Sequence, residues 1–313
     1  MWNESLEPRS LGLTSRRRFI TTSTAGAVGC ALLGSPQSTF SAETQPKGKS
    51  LRLSAVWGTL GRMPIPDGMA MLSRLGYDAF ELPDWRNPAS LIAFVKAREK
   101  YPLECVCIIA NKGPATPGCG LVDPGEREGF VAQVKLAIEA AKKLDSKGLL
   151  VLSGNELEGV SRAEQLGNAV YALRAAAPLL EDNGITAMIE VVNNVDYPGY
   201  LLHNMRDTAV VVDRVYSPNV KILCDLYHVQ MMEGNLINNI QLYKDRIGHF
   251  HIADLPGRHE PGTGEVNYRN VFKAIHGLCG NFQASIGLEY TSLSPIENNL
   301  VEMRKMATVE SET

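Results

Sequence analysis

Between residues 51 and 306 a short apolar run is followed by a longer helix-patterned stretch, and the alternation repeats eight times. No other feature restricts the fold as strongly. The apolar runs fall at 51–56, 77–82, 103–110, 147–153, 185–191, 220–226, 247–253 and 283–289. They are hydrophobic almost throughout, not alternately, which is the pattern of strands buried on both faces of a parallel sheet. Helices are predicted at 66–75, 88–99, 126–143, 161–182, 204–214, 233–245, 268–277 and 294–306. In the two clearest, 126–143 and 161–182, Ala, Leu and Val recur every three or four residues among charged ones. Asn183 and Gly184 supply a stop after the second. Eight strand–helix units predict a single (β/α)8 TIM barrel over 51–306. A doubly wound open sheet is the competing architecture. It is disfavoured because no GxGxxG turn follows the first strand.

Composition narrows the function classes. The formal charge of -3 and a pI near 6.1 argue against a nucleic-acid surface, which shows as a basic excess. Six cysteines at irregular spacing make neither a disulfide framework nor a zinc-type CxxC pair. Residues 1–42 form a separate device. Ser15-Arg16-Arg17-Arg18-Phe19-Ile20 precedes a mild apolar run, Thr21 to Gly34, and small residues lead out to Ala42. A charged start, a short apolar centre and a small-residue exit predict a cleavable export signal, and the paired arginines resemble the twin-arginine address. The run is too short and too rich in Gly, Ser and Thr to anchor the chain in a membrane. Export by that route predicts a periplasmic or other extracytoplasmic location. Residues 43–50 read as a linker and 307–313 as a C-terminal tail.

The chemistry is written at the strand ends. Runs five to eight finish with Glu190, Asp225, His251 and Glu289. In a TIM barrel these ends meet at the face that carries the active site. One such residue alone is commonly a salt-bridge partner. Four on consecutive strands, charged and near a core, call for pairing or a shared cation. Three carboxylates and one imidazole are a hard, oxygen-rich set that suits Mn2+ or Mg2+, with Co2+ and Zn2+ also compatible. The seventh run then opens into a loop, 254–266, with Asp254, Arg258, His259, Glu260, Glu265, two prolines and three glycines. A rigid strand feeding such a loop marks a site on a scaffold.

Four stretches carry a resemblance: 189–200 (IEVVNNVDYPGY), 224–235 (CDLYHVQMMEGN), 247–268 (IGHFHIADLPGRHEPGTGEVNY) and 287–290 (GLEY). They are similar to the xylose-isomerase-like barrels of sugar isomerases and epimerases, and within these most similar to the hydroxypyruvate isomerases. The match covers the second half of the barrel, and the element order extends it. The resemblance implies that Glu190, Asp225, His251 and Glu289 hold one divalent metal ion, with Glu190 and Glu289 also the acid/base pair. It implies that His228, Arg258 and Asp196 contact the substrate, a small hydroxy-oxo acid or a ketose. A homodimer or homotetramer is the implied assembly. The sequence departs from the bacterial hydroxypyruvate isomerases in carrying His251 where they tend to have Gln; His is usual among ketose epimerases. Those enzymes are also cytoplasmic, whereas this chain carries an export signal.

The expected reaction is interconversion of hydroxypyruvate and 2-hydroxy-3-oxopropanoate by proton transfer between the two glutamates. A ketose 3-epimerase or isomerase is the alternative within the class. A metal-dependent hydrolase of the AP-endonuclease type is the alternative outside it, weakened by few histidines and an acidic balance. Arg258 suits a bidentate pair with a substrate carboxylate; its structural alternative is a loop-bracing pair with Glu260 or Glu265. His228 is read as a donor to a substrate oxygen or as an orienter of a ligand carboxylate. His249 is read as a packed residue near the barrel floor. Glu81 and Glu156 are either cavity-facing or plain salt bridges. Trp57 and Trp85 form an apolar wall over the substrate or simply pack. Met231 to Gly234 are expected to form a loop over the site.

Overall fold

The computed structural model describes residues 51–82, 85–111, 120–278 and 285–308. The predicted export signal, the linker and residues 309–313 of the predicted tail lie outside these. The predicted strands appear as β1 (Leu53–Val56), β2 (Ala79–Leu82), β3 (Glu104–Ile109), β4 (Gly148–Val151), β5 (Thr186–Glu190), β6 (Val220–Asp225), β7 (Ile247–Ile252) and β8 (Ile286–Leu288). Each pairs in parallel with the next, and β8 pairs with β1, so the sheet closes into a barrel. Closure excludes the doubly wound alternative. The strands are shorter than the apolar runs because flanking residues such as Leu51, Leu103, Ile185 and Val191 are buried without belonging to a strand.

Helices follow in order: α1 (Ile65–Arg74), α2 (Pro88–Lys100), α3 (Arg127–Lys143), α4 (Arg162–Asp182), α5 (Met205–Val215), α6 (Leu226–Met232), α7 (Leu236–Tyr243), α8 (Tyr268–Gly277) and α9 (Ile296–Met306). Their starts have local chemical causes. Asn87, Ser161, Asn204 and Asn267 each accept a hydrogen bond from a first-turn backbone N–H of α2, α4, α5 and α8. No helix among the described residues is long and apolar enough to cross a membrane.

One expectation fails. Residues 226–232 form α6, where a loop was expected to begin at Met231. Asp225 is the reason: its carboxylate accepts from the backbone N–H of Tyr227 and caps a new helix. The next helix then starts at Leu236 instead of 233, because Gly234 and Asn235 both take positive φ, 59° and 50°.

Packing outside the barrel joins strands to helices. Phe80 on β2 stacks on Phe94 of α2 at 5.2 Å, and Trp57 meets Phe94 edge-on at 4.6 Å. Burying one such side chain is worth about 1.5–3 kcal/mol. Trp57 is therefore engaged in this outer layer and does not wall the site. Trp85 donates its indole N–H to the Ile109 carbonyl at 2.6 Å.

Between α4 and α5 the Arg162 guanidinium donates to Asp207 from Nε at 2.8 Å and Nη2 at 2.6 Å, and also pairs with Glu156. Glu156 is thus a salt-bridge residue. Burial pushes the Asp207 carboxyl up, but the bonds from Arg162 and Asn204 outweigh it and hold the group below the usual range. A carboxyl depressed by folding stabilises above its unfolded pKa and stops doing so as pH falls through its folded pKa. Asp207→Asn should therefore lose stability relative to the parent at neutral pH, and the gap should close below about pH 4. Urea midpoints across that range check this.

Candidate active site

β5 ends on Glu190 and β6 on Asp225; His251 is the penultimate residue of β7, and Glu289 directly follows β8. Barrel register levels two of these positions, since Asp225 pairs with His251, and it sets His251 level with Gly287, two residues before Glu289. The result is a cluster in which one ligand atom from each of Glu190, Asp225, His251 and Glu289 lies within 4.8 Å of all the others. The sequence predicts this set of four, and the fold brings it together. Glu190, Asp225 and His251 are buried; Glu289 is partly open.

Three of the four, Glu190, His251 and Glu289, form one wall of a cavity of about 150 Å3. The opposite wall is apolar: Ile108 and Ile109 from β3, Leu150 and Leu152 at β4, and Val192 after β5. His228 and Arg258 line the same space, as expected, and Tyr197 joins them. Asp196 does not line it. Its exposed carboxylate accepts from Tyr227 Oη at 2.8 Å and Asn193 Nδ2 at 3.0 Å, which hold it below the usual range against the opposing effect of burial.

Hydrogen-bond logic fixes the orientation of His228. Asn193 Oδ1 accepts from the backbone N–H of Val195 and Asp196, so its amide nitrogen faces His228. That nitrogen donates to His228 Nδ1 at 2.6 Å, leaving the imidazole proton on Nε2, 3.4 Å from Asp225 Oδ2. The ring thus turns its one N–H toward Asp225, a loose contact at 3.4 Å, and lines the cavity.

Arg258 meets neither Glu260 nor Glu265. Its Nη2 lies 2.9 Å from Asp225 Oδ2 and 3.0 Å from Glu289 Oε2, with the guanidinium 5.0 Å over the Tyr227 ring. Glu260 is taken by the Leu293 N–H and the Ser294 hydroxyl. Arg258 reaches the site because its backbone sits at φ 56°, in a loop with an unusual clasp. The buried Asp254 carboxylate accepts from four backbone N–H groups of the loop, those of Leu255, Gly262, Gly264 and Val266. At Gly264 a Cβ would fall 1.8 Å from the Leu255 carbonyl oxygen, so only glycine fits.

Sequence reasoning left two residues underrated. Glu81, on β2, crosses the barrel interior: Oε1 lies 2.9 Å from His249 Nε2 and Oε2 lies 2.8 Å from His251 Nε2. Burial raises its pKa, but the two imidazoles outweigh that and hold it well below the usual range. Its strand-end position was the available signal; the crossing was not. Asp254 gave only its place after β7.

The environments of the two glutamates differ. Burial pushes Glu190 above the usual carboxylate range, aided by Glu289 and opposed by His251. Burial acts on Glu289 too, but Arg258 and His251 overcome it and bring its pKa down to about 2.

A metal ion fits this donor set. His251 Nδ1 and Glu289 Oε2 are 2.8 Å apart and buried, yet neither has an aligned hydrogen-bond partner. Two such acceptors aimed at one place, beside two more carboxylates, suit a hard divalent cation with oxygen ligands and one nitrogen.

The clasp makes a prediction. Asp254→Asn sets an amide N–H against backbone N–H donors in a buried space. Leaving such groups unsatisfied should cost roughly 2–4 kcal/mol and displace Arg258. Chemical denaturation and the substrate KM measure the two effects.

Comparison with known proteins agrees with the architecture. The family model described as xylose isomerase-like TIM barrel matches residues 69–307. The chain is 38% identical over 177 residues to the hydroxypyruvate isomerase of Escherichia coli (strain K12), a match spanning 56% of this chain and 68% of that one. It is 29% identical over 243 residues to the 2-oxo-tetronate isomerase of Pectobacterium atrosepticum, spanning 76% and 90%. Among solved structures, that of an AP endonuclease, family 2, from Brucella melitensis superposes with a TM-score of 0.74 at 26% identity, covering 82% of this chain and 98% of that one. With four ionisable strand ends converging at the mouth of a closed barrel, and a family model matching most of it, the chain belongs to the xylose isomerase-like TIM-barrel family and is an isomerase.

Proposed function

We propose that the protein is a metal-dependent isomerase of a small hydroxy-oxo acid, interconverting hydroxypyruvate and 2-hydroxy-3-oxopropanoate. The observation that carries the reading is the convergence of Glu190, Asp225, His251 and Glu289 on one side of a cavity of about 150 Å3 with Arg258 beside them. That volume is small against the roughly 300–1,000 Å3 of drug-sized ligand sites. It suits a three- or four-carbon acid better than a hexose, and the four-carbon 2-oxo acid named for one relative is the nearest second substrate.

The four strand-end residues would hold the divalent cation, Mn2+ or Mg2+ by donor chemistry. Once bound, that ion supplies Lewis-acid stabilisation of charge on the substrate oxygens, worth several kcal/mol. The chain's own groups do the rest. One of Glu190 and Glu289 takes a proton from the hydroxyl-bearing carbon beside the carbonyl, the other returns a proton to the old carbonyl carbon, and the hydroxyl proton passes to the old carbonyl oxygen. No net redox partner is needed, since one carbon is oxidised as its neighbour is reduced. Such positioned transfer typically contributes about 10²–10⁴-fold. Arg258 pairs with the substrate carboxylate, and the Nε2–H of His228 donates to a substrate oxygen. The apolar wall from β3 and β4 keeps bulk water from the reacting carbons.

A ketose epimerase would use the same four residues, and His251 is the residue usual in that branch; it would have no need of an acid clamp. A nuclease reading finds less support. His203 and His259 are engaged with the carbonyls of Tyr200 and Thr291 and stand apart from the four-residue cluster.

A substrate panel with Mn2+ in D2O tests the proposal. Glu190→Gln and Glu289→Gln should each abolish deuterium uptake from solvent into hydroxypyruvate; full exchange in both variants would remove the two-glutamate mechanism. Arg258→Ala should reduce kcat/KM on acid substrates by about 10²-fold, the scale of a charged bidentate pair, and barely change neutral ketoses. Equal losses on both would remove Arg258 as the clamp.

The same reading places the enzyme outside the cytoplasm, on the strength of the Arg16-Arg17 pair. Replacing both with Lys should retain the full-length chain in the cytoplasm, seen by fractionation; unchanged export would remove the twin-arginine route.

A further inference from the structure

Beneath the four-residue cluster lies a buried polar knot that the proton transfer does not use. Its centre is the Glu81 carboxylate, 2% exposed. Four groups reach it. Ser54 Oγ donates to Oε1 at 2.7 Å, and Cys107 Sγ lies 3.2 Å from Oε2. His249 Nε2 lies 2.9 Å from Oε1 and His251 Nε2 lies 2.8 Å from Oε2. A carboxylate only accepts, so each imidazole must turn an Nε2–H toward it. For His251 that leaves Nδ1 on the cavity side, 2.8 Å from Glu289 Oε2 and 3.7 Å from Glu190 Oε1.

The barrel wall is shaped for this crossing. At Gly287, the β8 neighbour of His251, a Cβ would lie 2.4 Å from Glu81 Oε1 and 2.6 Å from His251 Cδ2. Any other residue there would push the carboxylate and the imidazole apart. Gly287 is also level with Ser54 on β1, so the knot bridges the run of neighbouring strands from β7 through β8 and β1 to β2.

We infer that Glu81 is a positioning residue for the metal site: it holds His251 as the Nε2–H tautomer and so aims the Nδ1 lone pair at the place where the three other ligands meet. This rests on the metal reading above. It goes beyond that reading by assigning a function to a residue on β2, outside the ligand set. Outer partners of ligating histidines are generally worth about 10–100-fold in metal affinity.

The test uses the full chain. Mn2+ affinity is followed by electron paramagnetic resonance, and the His251 tautomer by 15N NMR of the Mg2+-loaded, histidine-labelled protein. The expected results are a proton on His251 Nε2 in the parent, and Mn2+ binding at least 10-fold weaker in Glu81→Gln. Ser54→Ala, which removes a donor to the same carboxylate without touching His251, should bind Mn2+ within about threefold of the parent. A merely structural knot would make the two variants alike. A His251 Nε2 without its proton overturns the inference even if Glu81→Gln fails to fold. Equal Mn2+ affinity in parent and Glu81→Gln also overturns it, as does equal loss in Ser54→Ala. A parent that binds no Mn2+ at all instead overturns the metal reading on which it stands.

Discussion

Negative charge packed into little space is the constraint around which this molecule is arranged. Glu190, Asp225 and Glu289 offer oxygens within 4.8 Å of one another, and two of the three carboxylates are buried. Two like charges at that spacing repel by about 3 kcal/mol even at an effective dielectric near 20. Such a cluster persists only with positive charge among its members. Arg258 supplies part of that, His251 adds to it only when both of its ring nitrogens are protonated, and a divalent ion would supply more. The pressure is visible in the two glutamates, one raised by burial and the other brought down to about 2 by its cationic neighbours.

Holding that cluster requires stiffness on all sides, and the barrel provides it through two devices. Across the interior, Glu81 ties β2 to His249 and His251 on β7 and takes further donors from β1 and β3. At the mouth, Asp254 gathers four backbone N–H groups and gives the loop that carries Arg258 a fixed path. Each device is a buried carboxylate whose acceptor capacity is filled. Buried polar groups are rigidifying when satisfied and costly when not. The same economy appears at Asp225, which caps α6, receives Arg258 and faces His228 while pointing at the cluster.

Much of this was legible in the chain. Eight apolar runs separated by helical patterns imply a closed parallel barrel, because each strand needs cover on both faces. A strand-end residue in such a barrel has only one place to be, so Glu190, Asp225, His251 and Glu289 could be grouped before any contact was known. Met231 and Met232 were read as loop because Asp225 looks like a ligand and not like the cap of α6; it serves as a cap besides. Arg258 was offered Glu260 and Glu265 as partners by nearness in sequence, but both belong to other contacts. Asp196 is exposed and outside the cavity lining, held by Tyr227 and Asn193.

Sequence alone therefore determined the architecture, the four converging residues and the hard character of their site, since periodicity and strand-end chemistry are local properties of the chain. The tertiary structure alone decided what crosses the barrel. Glu81 and His251 stand 170 positions apart, and nothing in the order of residues reports that a glycine on β8 leaves room for their hydrogen bond. Likewise, only the folded loop shows that Asp254 turns Arg258 inward, because that outcome depends on four backbone groups finding one carboxylate in space.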